Sequence, residues 1–191
     1  DPVYKATIIP RGGALGMVVS LPEMDRLNMH KDEAKQKIAM TMAGKAAEII
    51  IYGEEGVSSG PAGDIQQASS LARAMVMRWG MSDKIGNIDY AEAHEGYQGN
   101  TAGFSVSAHT KEMIEDEVKS LIDDGYQEAR RILLEKSEEF ERLARGLLEY
   151  ETLTGDEIRK VVAGEALGGD DSGSSGDGGS SVISVPKTKP K

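Results

Sequence analysis

The spacing of apolar residues changes several times along the chain, and each change marks an element. Lys5-Ala6-Thr7-Ile8-Ile9 is β-prone, Pro10-Arg11-Gly12-Gly13 carries turn chemistry, and residues 14–20 are apolar again. Together they predict a β-hairpin over residues 4–20. From 31 to 52 the period becomes helical: Ile38, Met42, Ala46 and Ile49/Ile50 share one face, and Gly53 stands at the C′ position. Ala43, Gly44, Ala46 and Ala47 on that helix are small enough for another helix to approach closely. A second helix is predicted from about residue 64 to 78, with Ile65, Ala68, Leu71/Ala72 and Met75/Val76 inward and Gly80 as its stop. Residues 81–107 hold much glycine and little periodicity, which predicts a long loop with short extended pieces; such loops in compact domains are often functional.

A long helix follows over about 110–136, burying Met113, Ile114, Val118, Leu121, Ile122, Ala129, Ile132 and Leu133. Ser137 restarts a helix that runs through Glu149. Thr154-Gly155-Asp156-Glu157 is a capping box ahead of Ile158, Val161 and Val162. The expected fold is mainly α-helical with a small N-terminal β-hairpin or sheet. Periodicity ends at Gly168, where Gly, Ser and Asp take over and the chain closes on Pro-Lys-Thr-Lys-Pro-Lys. Such a segment cannot bury enough apolar surface to order itself. The expected organisation is a folded domain over 1–165 and a disordered tail over 166–191, with no internal repeat.

Composition narrows the function. Hydrophobic residues are 39% of the chain but aromatics only 5%, so the core is built from aliphatic side chains and methionine. A net charge of −10 argues against a nucleic-acid binder, which needs a surplus of Lys and Arg for phosphate contacts. With no cysteine, disulfides, thiolate zinc sites and Cys nucleophiles are excluded. No apolar run approaches the roughly 20 residues that span a bilayer. The chain opens on Asp rather than Met and has no signal peptide, so it reads as a piece of something longer.

Several chemistries find no motif. His30, His94 and His109 never pair at i,i+4, so no His-Glu-x-x-His helix lies within the chain. There is no phosphate-binding G-x-x-x-x-G-K-[ST] loop and no G-x-S-x-G elbow. Ser184-Val185-Pro186-Lys187 fits S-x-x-K only inside the polar tail, and Gly60-Pro61-Ala62-Gly63 has Ala62 where a Ser-Lys protease needs its nucleophile. What remains is the small-residue loop from Val57 to Gly63, which sets Asp64 at a helix start. An aspartate there is a helix cap by ordinary helix physics, or one ligand of a metal completed elsewhere. Glu48, among small residues, is an exposed helix position, an ion-pair member or a second candidate carboxylate. Arg11 reads as a turn residue, Trp79 with Met75 and Met77 as core, and His94 and His109 as loop and helix-start residues.

Ordered blocks of sequence carry a specific resemblance. They are Asp1-Pro2-Val3-Tyr4-Lys5, Thr7-Ile8-Ile9-Pro10-Arg11-Gly12-Gly13-Ala14-Leu15-Gly16 and Ala43-Gly44-Lys45-Ala46-Ala47-Glu48 with Ile51-Tyr52-Gly53. Then come Val57-Ser58-Ser59-Gly60 with Asp64-Ile65, Ala72-Arg73-Met75-Val76, Trp79-Gly80-Met81-Ser82 and Tyr150-Glu151-Thr152-Leu153. Over residues 1 to about 165 the chain resembles the peptidase domain of the FtsH family, the membrane-anchored ATP-dependent zinc proteases of peptidase family M41.

The resemblance implies that Asp64 is a zinc ligand, replacing the cap reading. The family's other two ligands are the histidines of a His-Glu-x-x-His helix shortly before the Asp-Pro-Val block, whose glutamate is the general base. The chain begins just after that position, so it is expected to carry one Zn2+ ligand, no general base and no activity alone. Glu48 matches the first glutamate of the family's Gly-Gly-Arg-x-Ala-Glu-Glu block, whereas Ala43, Lys45 and Ile49 depart from it. The match makes Glu48 an outer-shell candidate near the metal. Ala14, Leu15 and Gly16 are candidates for an edge strand that binds extended substrate. For the parent protein the resemblance implies polypeptide substrates, both membrane and soluble, and ATP with Mg2+ at an upstream ATPase module. It also implies a homo-hexamer anchored in the bacterial inner membrane on its cytoplasmic face. The alternative is a non-catalytic helical module for oligomerisation or partner binding.

Overall fold

The computed structural model describes residues 2–12, 15–21, 28–90 and 106–167. Strands β1 (Val3–Thr7) and β2 (Met17–Ser20) form the expected antiparallel hairpin, with Thr7 opposite Met17 and Val3 opposite Ser20. The second strand starts later than its apolar run suggests. Gly16 lies against the backbone of Thr7, where a Cβ would come within 2.9 Å of the Thr7 carbonyl oxygen, and the ladder opens only at Met17. Leu15 and Gly16 therefore precede the strand, and Ala14 lies outside the described residues.

Helix α1 (Lys31–Tyr52) ends at Gly53, which takes a positive φ of 76°. Helix α2 (Ala62–Met77) begins ahead of the predicted Asp64, because Pro61 takes the N-cap position and Ala62 and Gly63 enter the first turn. Helix α3 (Ala108–Glu135) is capped by Ser107, whose Oγ accepts from the Thr110 N–H at 3.1 Å. Helix α4 (Ser137–Tyr150) leads through Glu151, at φ 59°, into strand β3 (Thr152–Thr154). Helix α5 (Gly155–Ala163) follows with the predicted capping box of Thr154 and Glu157. The chain is thus mainly helical, with a three-stranded antiparallel sheet ordered β2-β1-β3.

Helices α1, α2 and α3 enclose the main core, with Ile38, Met42, Ala68, Ala72, Met75, Val76, Ile114 and Val118 buried among Ile85 and Tyr90 of the segment after α2. Helices α1 and α3 approach closely at Gly125, where a Cβ would lie 2.6 Å from Ile38 Cγ2. Three apolar residues expected inside are not. Ile65 is 39% exposed because the first turn of α2 lies beyond the packed stripe, and Ile132 is 41% exposed in the last turn of α3, a 28-residue helix against 22 in α1. Trp79 is 44% exposed, in contrast to buried Met75 and Met77. It lies past the helix end, where Gly80 at φ 60° and the Met81 N–H to Met75 carbonyl bond of 2.9 Å turn the chain out of the stripe.

The sheet packs on α4 and α5, not on the α1–α2 pair. Leu153 and Val161 are buried there, and Gly155 abuts the Val3 carbonyl so closely that a Cβ would sit at 2.1 Å. The predicted loop over 81–107 is described only in part. Its first residues form turns that bury Ile85 and Tyr90, and residues 91–105 lie outside the described residues, as does the predicted tail from 168 onward.

Candidate metal centre

The site is assembled by α1, the connection after it and the first turn of α2. Gly53 ends α1, a short 3-10 turn covers Glu54–Gly56, and Val57 to Pro61 lead into α2. Glu48 reaches back across this connection from the last part of α1. Its Oε2 accepts the Ser58 N–H at 2.9 Å and its Oε1 accepts the Ser58 hydroxyl at 2.8 Å. Ser58 Oγ in turn accepts the Gly60 N–H at 3.0 Å. The Ala62 N–H bonds to the Ser59 carbonyl at 3.1 Å, and Ile65 N–H bonds to Pro61 carbonyl at 2.9 Å. Hydrogen bonds thus tie Glu48 to the connection at Ser58 and Gly60, and backbone bonds close the start of α2 that carries Asp64.

Asp64 has the opposite surroundings. It is an exposed residue of the first turn of α2, and the N-cap position belongs to Pro61, so it does not cap the helix. Its carboxylate faces Gly44, one turn before Glu48 on α1: a Cβ on Gly44 would lie 3.5 Å from Asp64 Oδ2. A Cβ on Gly60 would lie 3.0 Å from Ser58 Oγ and 3.5 Å from Glu48 Oε1. Each carboxylate thus lies beside a glycine, Asp64 beside Gly44 and Glu48 beside Gly60. Among the described residues Asp64 makes no hydrogen bond and no ion pair. A free carboxylate held at a helix start over a glycine suits one oxygen ligand of a cation.

The structure sets Asp64 over Gly44, one helical turn from Glu48 on α1, and supplies no complete ligand set among the described residues. Among the described residues there is no group of three His, Cys, Asp or Glu that could hold a metal ion. His30 precedes α1, His109 lies in the first turn of α3, and His94 is outside the described residues. Ser58 and Gly44 were missed in the sequence. Gly44 lies four residues before Glu48 and so shares its helix face, which was a usable signal. Nothing local marked Ser58 as the partner of Glu48.

A third carboxylate, Glu117 on α3, is structural. It accepts the Ser82 hydroxyl at 2.7 Å and pairs with Lys84, tying the turn after α2 to α3. The Lys84 hydrogen bond, then that of Ser82, holds the Glu117 carboxyl below the usual glutamate range.

Residues 1–161 match the family model described as Peptidase family M41. The chain belongs to this family. M41 relatives align along most of it. An ATP-dependent zinc metalloprotease FtsH from Rickettsia bellii is 45% identical over 168 residues, 87% of this chain and 26% of that protein. The FtsH protein of the same description from Caulobacter vibrioides is 46% identical over 167 residues, 86% of this chain and 27% of its own. A subunit of the mitochondrial inner membrane i-AAA protease supercomplex of Saccharomyces cerevisiae is 43% identical over 166 residues, 87% of this chain and 21% of the yeast protein. The M41 chain thus spans about a quarter of the length of the curated relatives it matches. Among its described residues no helix is long and apolar enough to cross a membrane.

Proposed function

We propose that this chain is the proteolytic domain of an ATP-dependent zinc metalloendopeptidase and that Asp64 is its carboxylate zinc ligand. The observation that carries the reading is the unpaired Asp64 carboxylate at the head of α2, facing Gly44, in a member of peptidase family M41. In this reading the other ligands are two histidines of a His-Glu-x-x-His helix, a motif that this sequence does not contain. Bound zinc would lower the pKa of a coordinated water and polarise the scissile carbonyl. Within this chain, Asp64 supplies a negative oxygen donor, and the free space over Gly44 leaves that donor accessible. Glu48 stays outside the ligand set, with both oxygens engaged by Ser58.

Polypeptide substrates fit the sheet. Strand β2 lies at the edge of the β2-β1-β3 order, and an extended peptide can add to such an edge through backbone hydrogen bonds while tolerating varied side chains. Leu15 and Gly16 open the approach to this edge, and Ala14 belongs to the same run. The relatives' names give ATP dependence and, for the yeast protein, a mitochondrial inner membrane protease supercomplex; the family resemblance extends the reading to ATP with Mg2+ at a separate ATPase module, a homo-hexamer, and anchoring in the bacterial inner membrane on the cytoplasmic face.

The test is Asp64→Ala in the intact protein. ATP hydrolysis is expected to persist while zinc and casein cleavage are lost. Undiminished casein cleavage would refute the assignment of Asp64, whereas an intact wild-type protein without casein cleavage would favour a non-catalytic helical module.

A further inference from the structure

We infer that Glu48 is a positioning residue that fixes Asp64 through Ser58, a loop clamp distinct from any metal ligand. The inference rests on the reading of Asp64 as a zinc ligand. Its basis is the allocation of oxygens around the two carboxylates. Glu48 uses Oε2 on the Ser58 amide and Oε1 on the Ser58 hydroxyl. The same hydroxyl oxygen receives the Gly60 amide, so one side chain organises the turn ahead of α2. Glu48 and Gly44 lie one turn apart on α1, and Gly44 is the residue that Asp64 faces.

Two constraints therefore meet on a single helix face. One holds the connection at Ser58, and the other leaves clearance for the carboxylate at the end of that connection. Asp64 has no hydrogen bond of its own among the described residues, so its direction depends on where the first turn of α2 is placed. Groups that orient a ligand typically change metal affinity by about 10- to 100-fold when removed. Both Glu48 oxygens are aimed at Ser58, which orients the carboxylate toward the connection ahead of α2.

Substitutions at Glu48 and Ser58 separate the clamp from a ligand role. Glu48→Gln should keep most of it, since the amide oxygen still accepts the Ser58 N–H and the amide nitrogen can donate to Ser58 Oγ. Glu48→Ala removes both bonds, and Ser58→Ala removes the hydroxyl one.

The experiment uses the intact protein and measures zinc affinity by competition with a chelator, together with backbone hydrogen exchange in the metal-free state. Glu48→Ala should weaken zinc binding about 10- to 100-fold, and Ser58→Ala should fall toward the lower end of that range. Glu48→Gln should remain within a few-fold of wild type, and the Glu48→Ala/Ser58→Ala double variant should be no weaker than Glu48→Ala, about the behaviour of coupled sites. In the metal-free protein, exchange at Ser58 and Gly60 should accelerate in Glu48→Ala while the amides around Ile38 and Met42 keep their protection. Wild-type zinc affinity in Glu48→Ala would overturn the clamp. So would Glu48→Ala and Glu48→Gln both failing as completely as Asp64→Ala while Ser58→Ala binds normally, since Glu48 would then be a ligand. Asp64→Ala with full zinc affinity would instead remove the reading on which the clamp rests.

Discussion

Asp64 and Glu48 show how little a residue type says without its partners. Both are carboxylates near one face of α1, yet Glu48 has both oxygens bonded by Ser58 and Asp64 faces a glycine. That Asp64 opens a helix was readable from the small residues ahead of it. That it is unpaired was not, because the answer depends on Gly44 of the preceding helix. Gly125 gives a sharper case. A Cβ there would meet Ile38 Cγ2 at 2.6 Å and the backbone nitrogen of Ala39 at 3.2 Å. Gly125→Ala should destabilise the domain by about 1–3 kcal/mol, because a backbone atom cannot rotate away. Urea unfolding checks this, and an unchanged midpoint would show that α1 and α3 are not so closely packed.

Glu117 carries a pH-dependent prediction. Its folded carboxyl is held below the usual range, first by the Lys84 hydrogen bond. The unfolded chain therefore takes up the proton at a higher pH, near about 4.3. The stabilisation is complete above that value and is lost as pH falls through the depressed folded value. Urea midpoints followed downward from about pH 6 should fall more steeply for wild type than for Glu117→Gln. Parallel curves would contradict the assignment.

At the scale of elements, periodicity worked where a segment was long. The 3.6-residue pattern placed α1 and α3 closely, and the capping chemistry of Thr154 and Glu157 marked α5. Strand β3 was missed because three residues carry too little alternation, and its partner β1 lies at the other end of the chain. What fixes it is tertiary. Thr7 Oγ1 donates to the Glu151 carbonyl at 3.1 Å and meets the Thr152 hydroxyl at 2.7 Å, and the Ile8 N–H bonds to Glu151 carbonyl at 2.9 Å. The capping box joins β3 to α5, so Thr154→Ala should cost about 0.5–2 kcal/mol. Faster amide exchange in α5, with α1 to α3 unaffected, is the expected signature. Equal acceleration across all helices would mean that the sheet with α4 and α5 does not open separately.

For the whole molecule, the sequence identified a helical domain with a small sheet, and its ordered blocks pointed to the family that the M41 match over residues 1–161 establishes. It did not reveal that the sheet packs on α4 and α5 while the candidate metal centre is built by α1 and α2. Long-range packing of this kind leaves no local period to read. Whether Asp64 binds zinc is tested most directly by metal analysis of purified intact Asp64→Asn, since the substitution removes the charge and keeps the shape. Wild type is expected to retain zinc through dialysis and Asp64→Asn to lose it with its helices intact; full zinc retention by Asp64→Asn would show that Asp64 is not a zinc ligand.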